Sequence, residues 1–184
     1  CSSDLTALVI IFQPELRKAL ENLGGKNVLG KLFDFGKVEE NKFSDNTIDE
    51  LIKACYAMGK VKTGALIVIE DEILLNEYVR TGIDIDAIIS SQLLINIFEK
   101  NTPLHDGAVI VRENRIVAAT CYLPLSDNME LSKQLGTRHR AGVGISEQTD
   151  SVTIIVSEET GQVSVAQGGK LIRGVNSAKL REIL

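Results

Sequence analysis

Two short segments bring together side chains able to do chemistry on a phosphate. The first is Asn101-Thr102-Pro103-Leu104-His105-Asp106-Gly107-Ala108, between an apolar helical run and an apolar strand. His105 and Asp106 would present an imidazole and a carboxylate at a strand end, and Gly107 would let a phosphate approach the backbone. Read plainly, the same residues are turn chemistry. The second is Gly136-Thr137-Arg138-His139-Arg140. It reads as a helix start, with Thr137 placed as the N-cap. Cations there oppose the helix dipole, at a cost of roughly 0.3 kcal/mol or more. Arg138 and Arg140 therefore point to solvent, pair with acidic neighbours, or face an anion. Free N–H groups, the Thr137 hydroxyl and a guanidinium fork would make a polyphosphate site. The two histidines of the chain, His105 and His139, both fall in these segments.

Two further segments carry weaker signals. Ser157-Glu158-Glu159-Thr160-Gly161 reads most simply as a polar hairpin tip. Tyr122 and Leu123, at a strand end, are either edge core residues or a clamp for a flat base. The usual phosphate loops are missing: Gly168-Gly169-Lys170 is followed by Leu171, and Gly142 and Gly144 lack a third glycine and a strand leading into them.

The elements that must position these groups are legible in part. Pro14 to Leu23 has helical spacing and stops at Gly24-Gly25; residues 27–44 read as a surface loop. Thr47 and Glu50 fit a capping box for a helix to Met58, ended by Gly59. Ala65 to Ile69 is a buried strand. Leu74 to Arg80 and Ser90 to Phe98 read as helices. Ala108 to Val111 and Ile116 to Tyr122 form a hairpin around Glu113-Asn114, and Val152 to Val156 and Val163 to Ala166 a second around Glu159-Thr160-Gly161. Helices follow at Leu135 to Gln148 and Asn176 to Leu184. Helices interleaved with hairpins predict an α/β fold of the α+β type, a central mixed β-sheet of about six to seven strands flanked by helices.

Composition narrows the function. Of 184 residues, 20 are Lys or Arg and 25 are Asp or Glu, a net charge of −5. That argues against a nucleic-acid binder. Hydrophobic residues at 44% and charged residues at 24% suit a folded globular domain. Aromatics are 4% and Trp is absent, so Leu, Ile, Val and Ala must build the core. No apolar stretch approaches the ~20 residues of a membrane span, and no signal-peptide pattern opens the chain. Cys1, Cys55 and Cys121 are too few and too scattered for a disulfide framework or a zinc knuckle, which suits a reducing compartment. A start at Cys1 rather than Met reads as a piece of a longer protein.

His105-Asp106-Gly107-Ala108 and Gly136-Thr137-Arg138-His139-Arg140 resemble the DGA and RHR motifs of the diadenylate cyclase (DAC) domain. The flanks Asn101-Thr102-Pro103-Leu104, Leu135-Gly136 and Val156-Ser157-Glu158-Glu159-Thr160-Gly161 are similar too, in the same order. Ile11-Phe12-Gln13-Pro14-Glu15 resembles the membrane-anchored CdaA class, where it follows transmembrane helices; the spine and DNA-binding domain of the DisA class do not follow before Leu184. The resemblance implies one catalytic domain over 1–184, with 1–25 a linker helix and the upstream anchor outside this chain. It implies condensation of two ATP into cyclic di-AMP (3′,5′) and two pyrophosphates. Asp106 and Arg138 would be catalytic. ATP would be bound by Gly107, Ala108, Tyr122, Leu123, Thr137, Arg138, His139, Arg140, Ser157 and Glu159. A divalent metal ion, Mn²⁺ or Mg²⁺ with Co²⁺ a further candidate, would sit on His105 and Asp106. Implied partners are a second copy of the chain, face to face, a YbbR-type regulator and phosphoglucosamine mutase, at the cytoplasmic side of the cell membrane and without nucleic acid. Gly142 stands where many relatives have Ala. Two competing readings are a non-catalytic sensor that holds ATP or cyclic di-AMP, and an ATP hydrolase; retention of Asp106 weighs against the sensor.

Overall fold

The first described helix, α1 (Asp45–Lys60), buries Ile48, Leu51, Ala54, Cys55 and Met58 along one face, the stripe that a 3.6-residue period sets. The structure is a computed structural model that describes residues 43–128 and 135–184. The expected Pro14–Leu23 helix, the 1–25 linker and the 27–42 part of the loop lie outside them. The capping box expected at Thr47 and Glu50 is not formed. Ser44 is the N-cap instead, its hydroxyl 3.3 Å from the Thr47 N–H. Thr47 donates to Asn114 Oδ1 at 2.7 Å, and Glu50 accepts from the Ser91 N–H at 2.5 Å. Tertiary partners thus outbid the local pair. Gly59 does not end the helix either: Lys62 takes the left-handed conformation, φ 54°. A Cβ at Gly59 would lie 2.5 Å from the Gly161 carbonyl oxygen, so Gly59 serves a close backbone contact.

Seven strands form one mixed sheet: β1 (Ala65–Ile69), β2 (Ile83–Ile88), β3 (Ala108–Arg112), β4 (Arg115–Cys121), β5 (Val152–Val156), β6 (Val163–Gln167) and β7 (Lys170–Ile172). Their order is β2-β4-β3-β1-β5-β6-β7. β1 and β3 are parallel; the other neighbours are antiparallel. The mixed sheet matches the expectation, but β2 and β7 had no counterpart in the sequence reading. β2 is an edge strand of alternating Ile and Asp, with a register shift between Asp84 and Ala87. β7 follows a two-residue turn at Gly168 and Gly169, φ 55° and 75°, the conformation that favours glycine in tight hairpins. The helix expected over Leu74–Arg80 shortens to α2 (Asn76–Val79), and β4 ends one residue before Tyr122.

Alternation divides the core into two layers. Ile67, Val109, Ile154 and Val165 face α1, α3 (Ser91–Phe98) and α5 (Ser177–Ile183). Leu66, Val68, Ile110 and Ile155 face α4 (Thr137–Gln148) and the residues around α2. With both faces covered, the inner strands must be apolar throughout, and β1 is fully buried at every position.

Candidate functional site

β1 and β3 run parallel and so begin at the same end of the sheet. β4 and β5, each antiparallel to one of them, finish there. Gly64, Gly107, Tyr122 and Ser157 are therefore neighbours of strand ends along one edge, although they are far apart in sequence.

Helix α4 begins near this edge. Its N-cap is Gly136, with no side-chain cap, and Thr137 is its first helical residue rather than the cap. Its first turn holds no acidic residue. Arg138 reaches Glu158, just past β5, with Nη1 2.8 Å from the carboxylate oxygen. A Cβ at Gly64 would lie 2.8 Å from that same Nη1, so the glycine makes room for the guanidinium. The side chains are 22% and 56% exposed, and a pair so placed contributes about 0–1 kcal/mol.

Two open grooves share Arg138 and Glu158. One, of about 60 Å³, is lined also by Thr137, His139, Ser157, Glu159, Gln162 and Arg173. The other, of about 300 Å³, is lined also by Gly64, Phe98, Lys100, Asn101 and His105. The structure thus gathers His105, Thr137, Arg138, His139, Ser157 and Glu159 around one ion pair. Asp106, Gly107, Ala108, Tyr122, Leu123 and Arg140 lie outside both linings. Gly64, Lys100, Gln162 and Arg173 line them without having been singled out in the sequence; each is an ordinary residue next to a strand or helix end, and the fold alone brings it in.

Hydrogen bonds specify what several of these groups can do. His105 Nδ1 lies 2.6 Å from the Thr102 carbonyl oxygen. A carbonyl only accepts, so Nδ1 carries the proton, and in the neutral ring that leaves Nε2 as the nitrogen able to ligate a metal. Asp106, next in sequence, is exposed. No group of three or more His, Cys, Asp or Glu side chains able to hold a metal occurs among the described residues. Of the candidate ligands, His105 offers an imidazole in the larger groove and Asp106 an exposed carboxylate next to it in sequence. The Ser157 hydroxyl accepts from the Glu159 and Thr160 N–H groups, at 3.3 and 3.2 Å, so it shapes its own turn first.

Gly107 has φ 110°, and a Cβ on it would lie 2.7 Å from the Thr120 carbonyl carbon. The crossing with β4 by itself requires the glycine. Thr120 opposite has φ 57°, a costly conformation for a β-branched residue. Ala108 is fully buried, so its side chain faces core. Tyr122 is 74% exposed, with its N–H bonded to Thr81 Oγ1 at 2.9 Å, and Leu123 packs against the α4-side core. His139 is 8% exposed. Burial, and secondarily Arg173, push its pKa below the usual histidine value; Glu159 pulls weakly the other way. The shift favours the neutral form of His139. Arg140 is half-buried, and its carbonyl accepts from the Ser126 N–H at 3.0 Å.

Similarity to known proteins covers the same part of the chain. The profile of the DAC family, described as DisA bacterial checkpoint controller nucleotide-binding, matches residues 52–171. The chain is 54% identical over 178 residues to the cyclic di-AMP synthase CdaA of Bacillus subtilis (strain 168), covering 97% of this chain and 64% of that protein. It is 52% identical, with the same coverage, to a diadenylate cyclase of Listeria monocytogenes. The chain therefore spans less than two thirds of the length of these relatives. Among solved structures, a double mutant of DacA from Staphylococcus aureus is similar at a TM-score of 0.74 and 52% identity, over 75% of this chain and 92% of that one. A hypothetical membrane spanning protein from Bacillus cereus is similar at 0.70 and 33%, over 91% and 80%. The profile match lies over the sheet and both motif segments, and identity above one half extends along nearly the whole sequence: the chain belongs to the DAC family.

Proposed function

We propose that the chain is the catalytic portion of a diadenylate cyclase, which joins two ATP molecules into cyclic di-AMP and releases two pyrophosphates. The observation that carries this reading is the convergence on Arg138: a guanidinium at an uncapped helix start, at an open sheet end, with His105 across the same groove. In each half-reaction the 3′-oxygen of one nucleotide bonds to the α-phosphorus of the other. The bond from that phosphorus to the bridging oxygen breaks, and its electron pair leaves with pyrophosphate. No enzyme nucleophile is needed, so the work is positioning and charge stabilisation. Arg138 and the free N–H groups of the first turn of α4 hold phosphate oxygens. Asp106 orients the 3′-hydroxyl and takes its proton. A carboxylate is a weak base for an alcohol; a divalent cation, which His105 and Asp106 would hold, would acidify that hydroxyl and offset phosphate charge. Tyr122 and Leu123 offer an exposed ring and an aliphatic wall for adenine.

The product has two-fold symmetry, and one open site holds one ATP. A two-fold dimer with sites face to face is the simplest matching catalyst. Membrane attachment through a segment outside this chain, and control by the regulators named above, extend the proposal; among the described residues no helix is long and apolar enough to cross a membrane. The test is incubation with ATP and Mn²⁺ and identification of products by mass, at nanomolar to micromolar protein. Cyclic di-AMP with a specific activity that rises with protein concentration is expected. ADP as the product, or nucleotide binding with no turnover, overturns the cyclase reading.

A further inference from the structure

The larger groove contains a second cation beside Arg138. Lys100 lines it with Asn101, His105, Arg138 and Glu158. Arg138 and Glu158 neutralise each other at 2.8 Å, which leaves Lys100 as the uncompensated charge. It makes no ion pair or hydrogen bond among the described residues. The ordinary reason for a lysine here would be the carbonyl end of α3. Thr102 fills that role: its hydroxyl donates to the Glu99 carbonyl at 2.8 Å, and its N–H to the same oxygen at 3.3 Å. Asn101 turns the chain sharply at φ 64°, so that Lys100 and His105 flank one cavity. Against the ~10–15 Å³ that one water needs, the groove that Lys100 lines, of about 300 Å³, has room for a multi-atom anion.

We propose that this cavity is the subsite for the diphosphate end of the nucleotide, with Lys100 as its cation. Arg138, common to both grooves, meets the α-phosphate at the junction; the β- and γ-phosphates extend toward Lys100, and pyrophosphate rests there after the α-phosphorus–oxygen bond breaks. The inference rests on the cyclase reading for its substrate but not for its test. A lysine suits this task because a flexible point charge can follow a departing anion, whereas the planar fork of Arg138 fixes geometry.

The test is calorimetric titration of the chain with pyrophosphate, and separately with AMP. Lys100→Ala should weaken pyrophosphate binding about tenfold, the scale of one charge-assisted contact, and leave AMP binding unchanged. Lys100→Arg should restore most of it. Arg173→Ala, in the smaller groove, should change pyrophosphate affinity less than about twofold. In turnover, the inhibition constant for pyrophosphate should rise in Lys100→Ala by the same factor as the dissociation constant. Unchanged pyrophosphate affinity in Lys100→Ala, or a loss carried by Arg173→Ala instead, overturns the subsite. A chain that forms no cyclic product yet binds pyrophosphate through Lys100 keeps the subsite and removes the cyclase reading. A chain that cyclises ATP while binding pyrophosphate independently of Lys100 does the reverse.

Discussion

An Arg–Glu pair sits at each end of the central strands, and the two pairs behave differently. At the far end, where β1 and β3 finish, Glu70 accepts from Arg112 Nε at 2.5 Å and Nη2 at 2.9 Å. The Leu75 N–H adds a third bond at 2.7 Å, and Asn76 holds the same guanidinium at 2.9 Å. The Glu70 side chain is 1% exposed. At the site end, Arg138 and Glu158 share one bond and remain partly open to water. The residue types are the same; burial and the number of bonds are not. A desolvated carboxylate with three donors has no alternative partner, so that pair fixes the loop after β1. A single exposed contact keeps Arg138 extended over Gly64 yet lets a phosphate oxygen replace Glu158 at little cost.

The largest effect that would sharpen this contrast is on stability. Glu70→Ala should cost about 3 kcal/mol, the low end for breaking a buried pair, because Arg112 can turn toward solvent. Glu158→Gln should cost less than about 1 kcal/mol. Urea unfolding of both variants checks this, and equal losses would erase the distinction between the two ends. Next comes chemistry at the site end. Asp106→Asn should lower turnover by about 10²-fold or more, the scale of a lost acid/base group, with ATP affinity unchanged or improved. Near wild-type turnover would remove Asp106 from the reaction. Arg138→Ala should then weaken ATP binding by about 1.5–3 kcal/mol, with Lys a poor substitute for the fork. Calorimetry showing unchanged affinity would mean that Arg138 answers only to Glu158.

Legibility in the sequence followed locality. α1, β1, the β3–β4 hairpin and the β5–β6 hairpin have patterns contained in their own residues, and each lies close to its expected place. β2 was missed because alternating Ile and Asp on a bulged edge mimics a polar loop. β7 is hidden in the sequence because Gly168-Gly169-Lys170 resembles a fragment of a phosphate loop, whereas the positive φ angles of the two glycines make a hairpin turn. At the site, the two motif segments carried strong local signals. Glu158, Gly64 and Lys100 did not: a hairpin acid, a glycine before a strand and a lysine after a helix look ordinary until the sheet assembles them. The Thr47–Glu50 pair shows the converse, a clear local signal dissolved by Asn114 and Ser91 from other elements.

The smallest expected effect is a pH dependence confined to the site end, which holds both histidines of the chain. His139, in the first turn of α4, lines the smaller groove, with burial as the main cause of its lowered pKa, Arg173 adding to it and Glu159 opposing. In the unfolded chain it returns to the ordinary value of about 6.5. Between the lowered folded value and 6.5, the unfolded state binds the proton and the folded state does not. Stability must therefore be complete above about pH 6.5 and fall as pH drops below it, by at most ~1.4 kcal/mol per pH unit for one proton; partial solvent access at the groove makes the slope shallower. His139→Gln should flatten the dependence of the urea midpoint between pH 7.5 and 5.5, at some uniform cost in packing. Arg173→Ala should reduce the slope by less, since the charge is the secondary cause. A slope identical in wild type and His139→Gln would show that the proton is taken up elsewhere and that burial does not lower the pKa of His139.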